Sequence, residues 1–119
     1  MYSPQVLDHF HNPRNVGEIS NPAAVVEISN PACGDVLKLS VSERNGSIVE
    51  AKFQVQGCVP AVACASWLTE AIKGKPLAEL AQLSAEQMEA ALGGLPAASS
   101  HASALAIAAL RKALDKLRP

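Results

Sequence analysis

Residues 33–58 read CGDVLKLSVSERNGSIVEAKFQVQGC, and the alternation inside this stretch decides the fold. Leu37, Leu39 and Val41 alternate with Lys38, Ser40 and Ser42; Val49, Ala51, Phe53 and Val55 alternate with Glu50, Lys52 and Gln54. A two-residue repeat collects the apolar side chains on one face of a strand, so each run predicts a half-buried β-strand. Arg44-Asn45-Gly46-Ser47 supplies turn residues between them, and the pair reads as a hairpin. A two-residue turn at Asn45-Gly46 would set Leu39 opposite Lys52 and Val41 opposite Glu50, mixing the faces. A three-residue loop, Arg44-Asn45-Gly46, pairs Leu37 with Phe53, Leu39 with Ala51 and Val41 with Val49, and is the expected register. In either register Cys33 and Cys58 come within about one residue of facing each other on strands ~4.8 Å apart. Such thiols can share a metal or form a disulfide, and geometry alone leaves both open.

Working outward, Val25 to Ser29 predicts a further strand, broken by Asn30-Pro31, which completes a small three-stranded antiparallel sheet. The chain before it opens with a short helix over Gln5 to Phe10, capped by Ser3 with Pro4 in its first position, followed by irregular chain over Asn12 to Pro22. Everything after the sheet reads as helix. Pro60 to Lys73 is closed by Gly74, Leu77 to Leu83 is short, and the capping box Ser84-Ala85-Glu86-Gln87 opens a helix that ends at Gly93-Gly94. The last helix runs from about Ser100 to Leu117, with an apolar stripe at Ile107, Leu110, Leu114 and Leu117 and basic residues gathered near its C-terminus. A sheet followed by helices predicts an α+β sandwich, one domain over 1–119, with the helices covering one sheet face.

Composition narrows the function. A formal net charge of -1 and 3% aromatic residues argue against a nucleic-acid groove, which needs a basic stripe and stacking rings. Met1-Tyr2-Ser3-Pro4 begins no signal pattern, and no apolar run approaches the ~20 residues that span a bilayer, so a soluble cytoplasmic protein with no membrane contact is expected. Three cysteines are an odd number for a disulfide framework and, in a reducing compartment, point to metal binding or thiol chemistry. The alternative is that they are small buried hydrophobes.

Cys58 leads into the helix that Pro60 opens, and His101 lies in the first turn of the last helix. At helix N-termini the dipole favours thiolate and neutral imidazole, the ligating forms. Asp35 shares a strand face with Cys33. Cys33, Asp35, Cys58 and His101 therefore make a tetrahedral donor set for zinc or for an iron-sulfur cluster. Cys64, set among Val62, Ala63 and Ala65, reads as a core residue and is the spare thiol that can replace a ligand. His9 and His11 do not share a helix face, and Trp67 and Phe53 read as core.

The ordered series Asp8-His9-Phe10 with Asn12-Pro13-Arg14-Asn15, Cys33-Gly34-Asp35, Gly57-Cys58, Thr69-Glu70 with Lys73-Gly74-Lys75, and Leu95-Pro96 followed by His101 resembles the iron-sulfur cluster scaffold family. This family comprises the IscU proteins and the N-terminal domain of NifU, and the resemblance covers essentially the whole chain. It implies a scaffold rather than an enzyme, one that takes sulfur from a cysteine desulfurase, assembles a transient [2Fe-2S] cluster and delivers it to apo-proteins. It further implies Cys33, Cys58 and a cysteine following His101 as ligands, and it links Asp35 to cluster lability. Two features depart from the family. Ala102 stands where the third cysteine is expected, and Leu95-Pro96-Ala97-Ala98-Ser99 replaces the Leu-Pro-Pro-Val-Lys stretch recognised by an Hsp70-type chaperone, which argues against that partner. The competing function is a zinc-binding persulfide carrier of the same fold.

Overall fold

The computed structural model describes residues 2–31 and 34–118. Three strands, β1 (Ala24–Asn30), β2 (Asp35–Arg44) and β3 (Ser47–Gln56), form an antiparallel sheet in the order β1-β2-β3. Five helices accompany it among the described residues: α1 (Pro4–His11), α2 (Val59–Ile72), α3 (Leu77–Leu80), α4 (Ala85–Ala91) and α5 (Ser100–Leu117). The architecture is the α+β arrangement expected. A short 3-10 turn at Ala97–Ser99, absent from the sequence reading, leads into α5.

The hairpin corrects the expected register. Asn45 and Gly46 both have positive φ (54° and 81°), the left-handed pair that suits a two-residue turn and matches the twist of the strands. Arg44 pairs with Ser47 and Glu43 with Ile48, after which the register shifts, and Ser42 pairs with Glu50. Val49 is thus the extra residue of a β-bulge. Beyond the bulge Val41 faces Ala51, Leu39 faces Phe53 and Leu37 faces Val55, so apolar residues meet apolar residues as the alternation demands. The face mismatch of the two-residue turn is corrected inside the strand, not by a longer loop. Its mark is that Ile48 is 1% exposed while Val49 is 46% exposed, the reverse of the alternation expected there.

Helices α2 and α5 lie on one sheet face and enclose Leu37, Leu39, Val41, Ala51 and Phe53 in the core. The buried face of α5 is built from Ala102, Leu105, Ala106, Ala109, Leu110, Ala113 and Leu114, so the expected stripe is turned, with Ile107 and Leu117 at its edge. Alanines let the helix backbone approach the sheet closely, and a search for large side chains overlooks that face. Basic residues of α5 act as ties. Arg111 donates to the carbonyls of Ala81 and Leu83, and Lys116 to that of Val25 (2.9 Å). The segment before β1 pairs along the outer edge of β3 and then passes over the other sheet face. Phe53 donates to the carbonyl of Asn15 (2.9 Å), Gly17 donates to that of Phe53 (2.8 Å), and Ile19 donates to the hydroxyl of buried Ser40 (3.2 Å).

The caps at two helices follow the sequence. Ser3 accepts from the Val6 N–H, and Ser84 and Gln87 complete both halves of the capping box at α4. Among the described residues no helix is long and apolar enough to cross a membrane.

Candidate metal centre

The start of β2, the end of β3 and the N-termini of α2 and α5 meet at one end of the sandwich. Asp35 is the first residue of β2, Cys58 is the N-cap of α2, and His101 is the second residue of α5. Their donor atoms all lie within 4.8 Å of one another. The Cys58 thiol donates to Asp35 Oδ2 (3.3 Å), Cys58 Sγ stands 3.7 Å from His101 Nε2, and His101 Nε2 stands 3.6 Å from Asp35 Oδ2. Asp35 is buried, while Cys58 and His101 are partly open to solvent. Cys33 lies outside the described residues.

These separations have a chemical reading. Ligands about 2.0–2.3 Å from one tetrahedral ion stand roughly 3.3–3.8 Å from each other, along the edges of the tetrahedron. The three measured distances match one face of such a tetrahedron, and thiolate, carboxylate and imidazole suit a divalent metal of the zinc type. His101 is set for the task by its own backbone. Its Nδ1 lies 3.2 Å from the carbonyl oxygen of Ala98, which can only accept, so in the neutral ring Nδ1 carries the proton and Nε2, facing Cys58 and Asp35, is the nitrogen left to ligate. Sequence reasoning missed Ala98 because the contribution comes from a carbonyl that every residue possesses.

The thiol departs from expectation. Helix N-termini favour thiolate, but burial foremost, then the Asp35 carboxylate, push the Cys58 thiol above its ordinary range against the pull of the Ala61 and Cys58 backbone N–H groups. A helix terminus contributes about 0.3–1 kcal/mol. Ionising the thiol would set a second negative charge 3.3 Å from the Asp35 carboxylate, which adds to the cost of burial; with no cation bound, the thiol form is favoured over a pair of anions. A bound cation reverses the balance by holding both as anions.

Cys64 is fully buried in the core, its thiol pushed up to about 12 by burial and by the nearby Glu89 and Cys58, and the structure does not bring it into the donor group. His9 is buried elsewhere, its Nδ1 2.8 Å from the Ser66 hydroxyl, and His11 is exposed. Ala102, next to His101, is 1% exposed and faces the core.

The chain matches the NifU-like N-terminal domain model over residues 1–118. It is 43% identical over 114 residues to the iron-sulfur cluster assembly scaffold protein IscU 1 of Archaeoglobus fulgidus, covering 96% of this chain and 74% of that protein. It is 40% identical over 117 residues to the iron-sulfur cluster assembly scaffold protein IscU of Haemophilus influenzae, covering 95% of this chain and 92% of the relative. The crystal structure of a NifU-like protein (N-terminal) from Brucella abortus matches with a TM-score of 0.81, covering 97% of this chain and 92% of that one. At 17% sequence identity that likeness speaks to the fold alone.

Proposed function

Because the chain belongs to the NifU-like N-terminal domain family, we propose that it is a scaffold on which an iron-sulfur cluster is assembled as cargo and from which it is passed to apo-proteins. The observation that carries this reading is the convergence of Asp35, Cys58 and His101 on one point in a chain whose relatives are named as such scaffolds. The donor chemistry fits the cargo: thiolates hold iron in iron-sulfur clusters, and histidine replaces cysteine in some of them. Cys33 is proposed as the second thiolate on the strength of the Cys33-Gly34-Asp35 motif. A cysteine desulfurase is proposed as the sulfur source, and the role is that of a carrier, with any sulfurtransferase-like step passing through these thiols.

Mixed coordination makes the cargo exchangeable. A carboxylate holds iron less firmly than a thiolate, so Asp35 lowers the lifetime of the bound cluster, and Ala102 leaves this chain one thiol short of the family set. A second reading has a specific observation behind it. The three donors are spaced for one ion, which favours a zinc-loaded persulfide carrier as the resting form.

Anaerobic reconstitution with iron and sulfide separates the two. The scaffold reading predicts a coloured protein that transfers its cluster to an apo-ferredoxin, with slower transfer in Asp35→Ala and a higher, longer-lived yield in Ala102→Cys. A colourless protein that keeps one zinc ion and accepts a persulfide overturns it in favour of the carrier.

A further inference from the structure

Gly57 precedes Cys58 at the end of β3, and the register that pairs Val36 with Gln56 sets it beside Asp35. A Cβ built on Gly57 would stand 2.6 Å from Asp35 Oδ1, 2.7 Å from Asp35 Cγ and 3.2 Å from Asp35 Cβ. Real side chains do not approach so closely, so the carboxylate occupies the space that any other residue at position 57 would fill. Gly57 is not among the residues with positive φ, and its backbone would accept alanine without strain. What glycine provides at this position is a notch, not a turn. The two carboxylate oxygens divide accordingly: Oδ1 lies in the notch, while Oδ2 faces the Cys58 thiol at 3.3 Å and His101 Nε2 at 3.6 Å.

We propose that Gly57 is a positioning residue for the metal centre, acting through Asp35: the missing Cβ admits the carboxylate to the notch and so aims Oδ2 at Cys58 and His101. Asp35 is 4% exposed, so the displaced carboxylate has to rotate within a closed surrounding, away from the shared point. The inference rests on the metal-centre reading for its consequence but not for its geometry. Gly57 therefore tunes how firmly the oxygen donor is presented, without itself touching the ion.

Two measurements test it. The crystal structure of metal-free Gly57→Ala is expected to place Asp35 out of hydrogen-bond reach of Cys58 with the backbone of β2 and β3 unchanged; Asp35 retained on Cys58 overturns the inference. Co²⁺ titration, followed by its visible absorption bands, is then run as a double-mutant cycle with Asp35→Ala. Gly57→Ala alone is expected to weaken Co²⁺ binding about 10–100-fold, the range for loss of an orienting contact. In the Asp35→Ala background it should add less than about twofold. Equal losses in both backgrounds mean that Gly57 serves the fold generally, and overturn the inference. A parent protein that binds no Co²⁺ overturns the metal-centre reading instead, and the position of Asp35 in the metal-free variant still decides the role of Gly57.

Discussion

The two ends of α2 handle buried polar groups in opposite ways. Toward its C-terminal end, Ser66, Thr69 and Glu70 meet His9 and Arg14 in a network built around the Arg14 guanidinium, which two part-exposed carboxylates face. Arg14 bonds Asp8 at 2.7 Å and stands 3.8 Å from Glu70, the Ser66 hydroxyl accepts the Arg14 backbone N–H and pairs with His9, and Thr69 donates to the Ser66 carbonyl. The hydrogen bond from Arg14 holds the Asp8 carboxyl below its ordinary range. At the N-terminal end Asp35 and Cys58 press two acidic groups together, and the ion-pair partner of Asp35 among the described residues is His101, charged only when protonated. The first end carries a permanent cation, with Arg14 Nη1 buried there without a hydrogen-bond partner, and among the described residues the second end carries none. A network held around a fixed cation ties elements of the fold together, whereas an acidic donor set with a favourable geometry and no fixed cation is a place for a ligand.

Substitutions at the C-terminal end of α2 test the contrast. Ser66→Ala leaves His9 Nδ1 and the Arg14 N–H without their buried partner and is expected to cost about 1–3 kcal/mol of folding stability. Urea unfolding should show this loss while metal affinity stays unchanged. A fall in metal affinity to match would mean that the two ends are one unit. A smaller effect concerns pH. Burial lowers the His9 pKa from the ordinary 6.5, so below that value the unfolded chain binds a proton that the folded protein resists. Stability is therefore full above pH 6.5 and declines as the pH falls, until folded His9 is itself protonated. Unfolding curves between pH 8 and 5 should show the decline in the parent and a flatter profile in His9→Gln; parallel profiles would remove His9 as its cause. Asp8 acts separately, below its ordinary 3.8, where its stabilising contribution is lost as the carboxyl protonates.

Much of this layout is legible in residue order. The two-residue alternation identifies β2 and β3, the capping box locates α4, and residue types at the expected strand ends and helix N-termini group Cys33, Asp35, Cys58 and His101, of which the structure brings Asp35, Cys58 and His101 together and Cys33 lies outside the described residues. What resists reading is whatever side-chain identity does not encode. Alternation requires that Leu39 meet an apolar partner, but it does not say whether the loop or a bulge at Val49 achieves this. Alanines at 102, 106, 109 and 113 bury a helix face without announcing it as hydrophobic. The carbonyl of Ala98 and the notch at Gly57 contribute a backbone atom and a missing one, and neither has a signature in residue type. The direction of the Cys58 shift depends on burial and on the carboxylate at 3.3 Å, both of which are three-dimensional facts.

We propose that the N-terminal end of α2, and not its C-terminal end, is a metal centre. Calorimetric titration of metal-free protein with Zn²⁺ tests it most directly. One ion should bind to the parent and to Ser66→Ala with equal affinity, and removal of the thiolate in Cys58→Ser should weaken binding by more than about 100-fold, beyond the loss expected for an orienting residue. Binding of Zn²⁺ to Cys58→Ser as tight as to the parent would contradict the account.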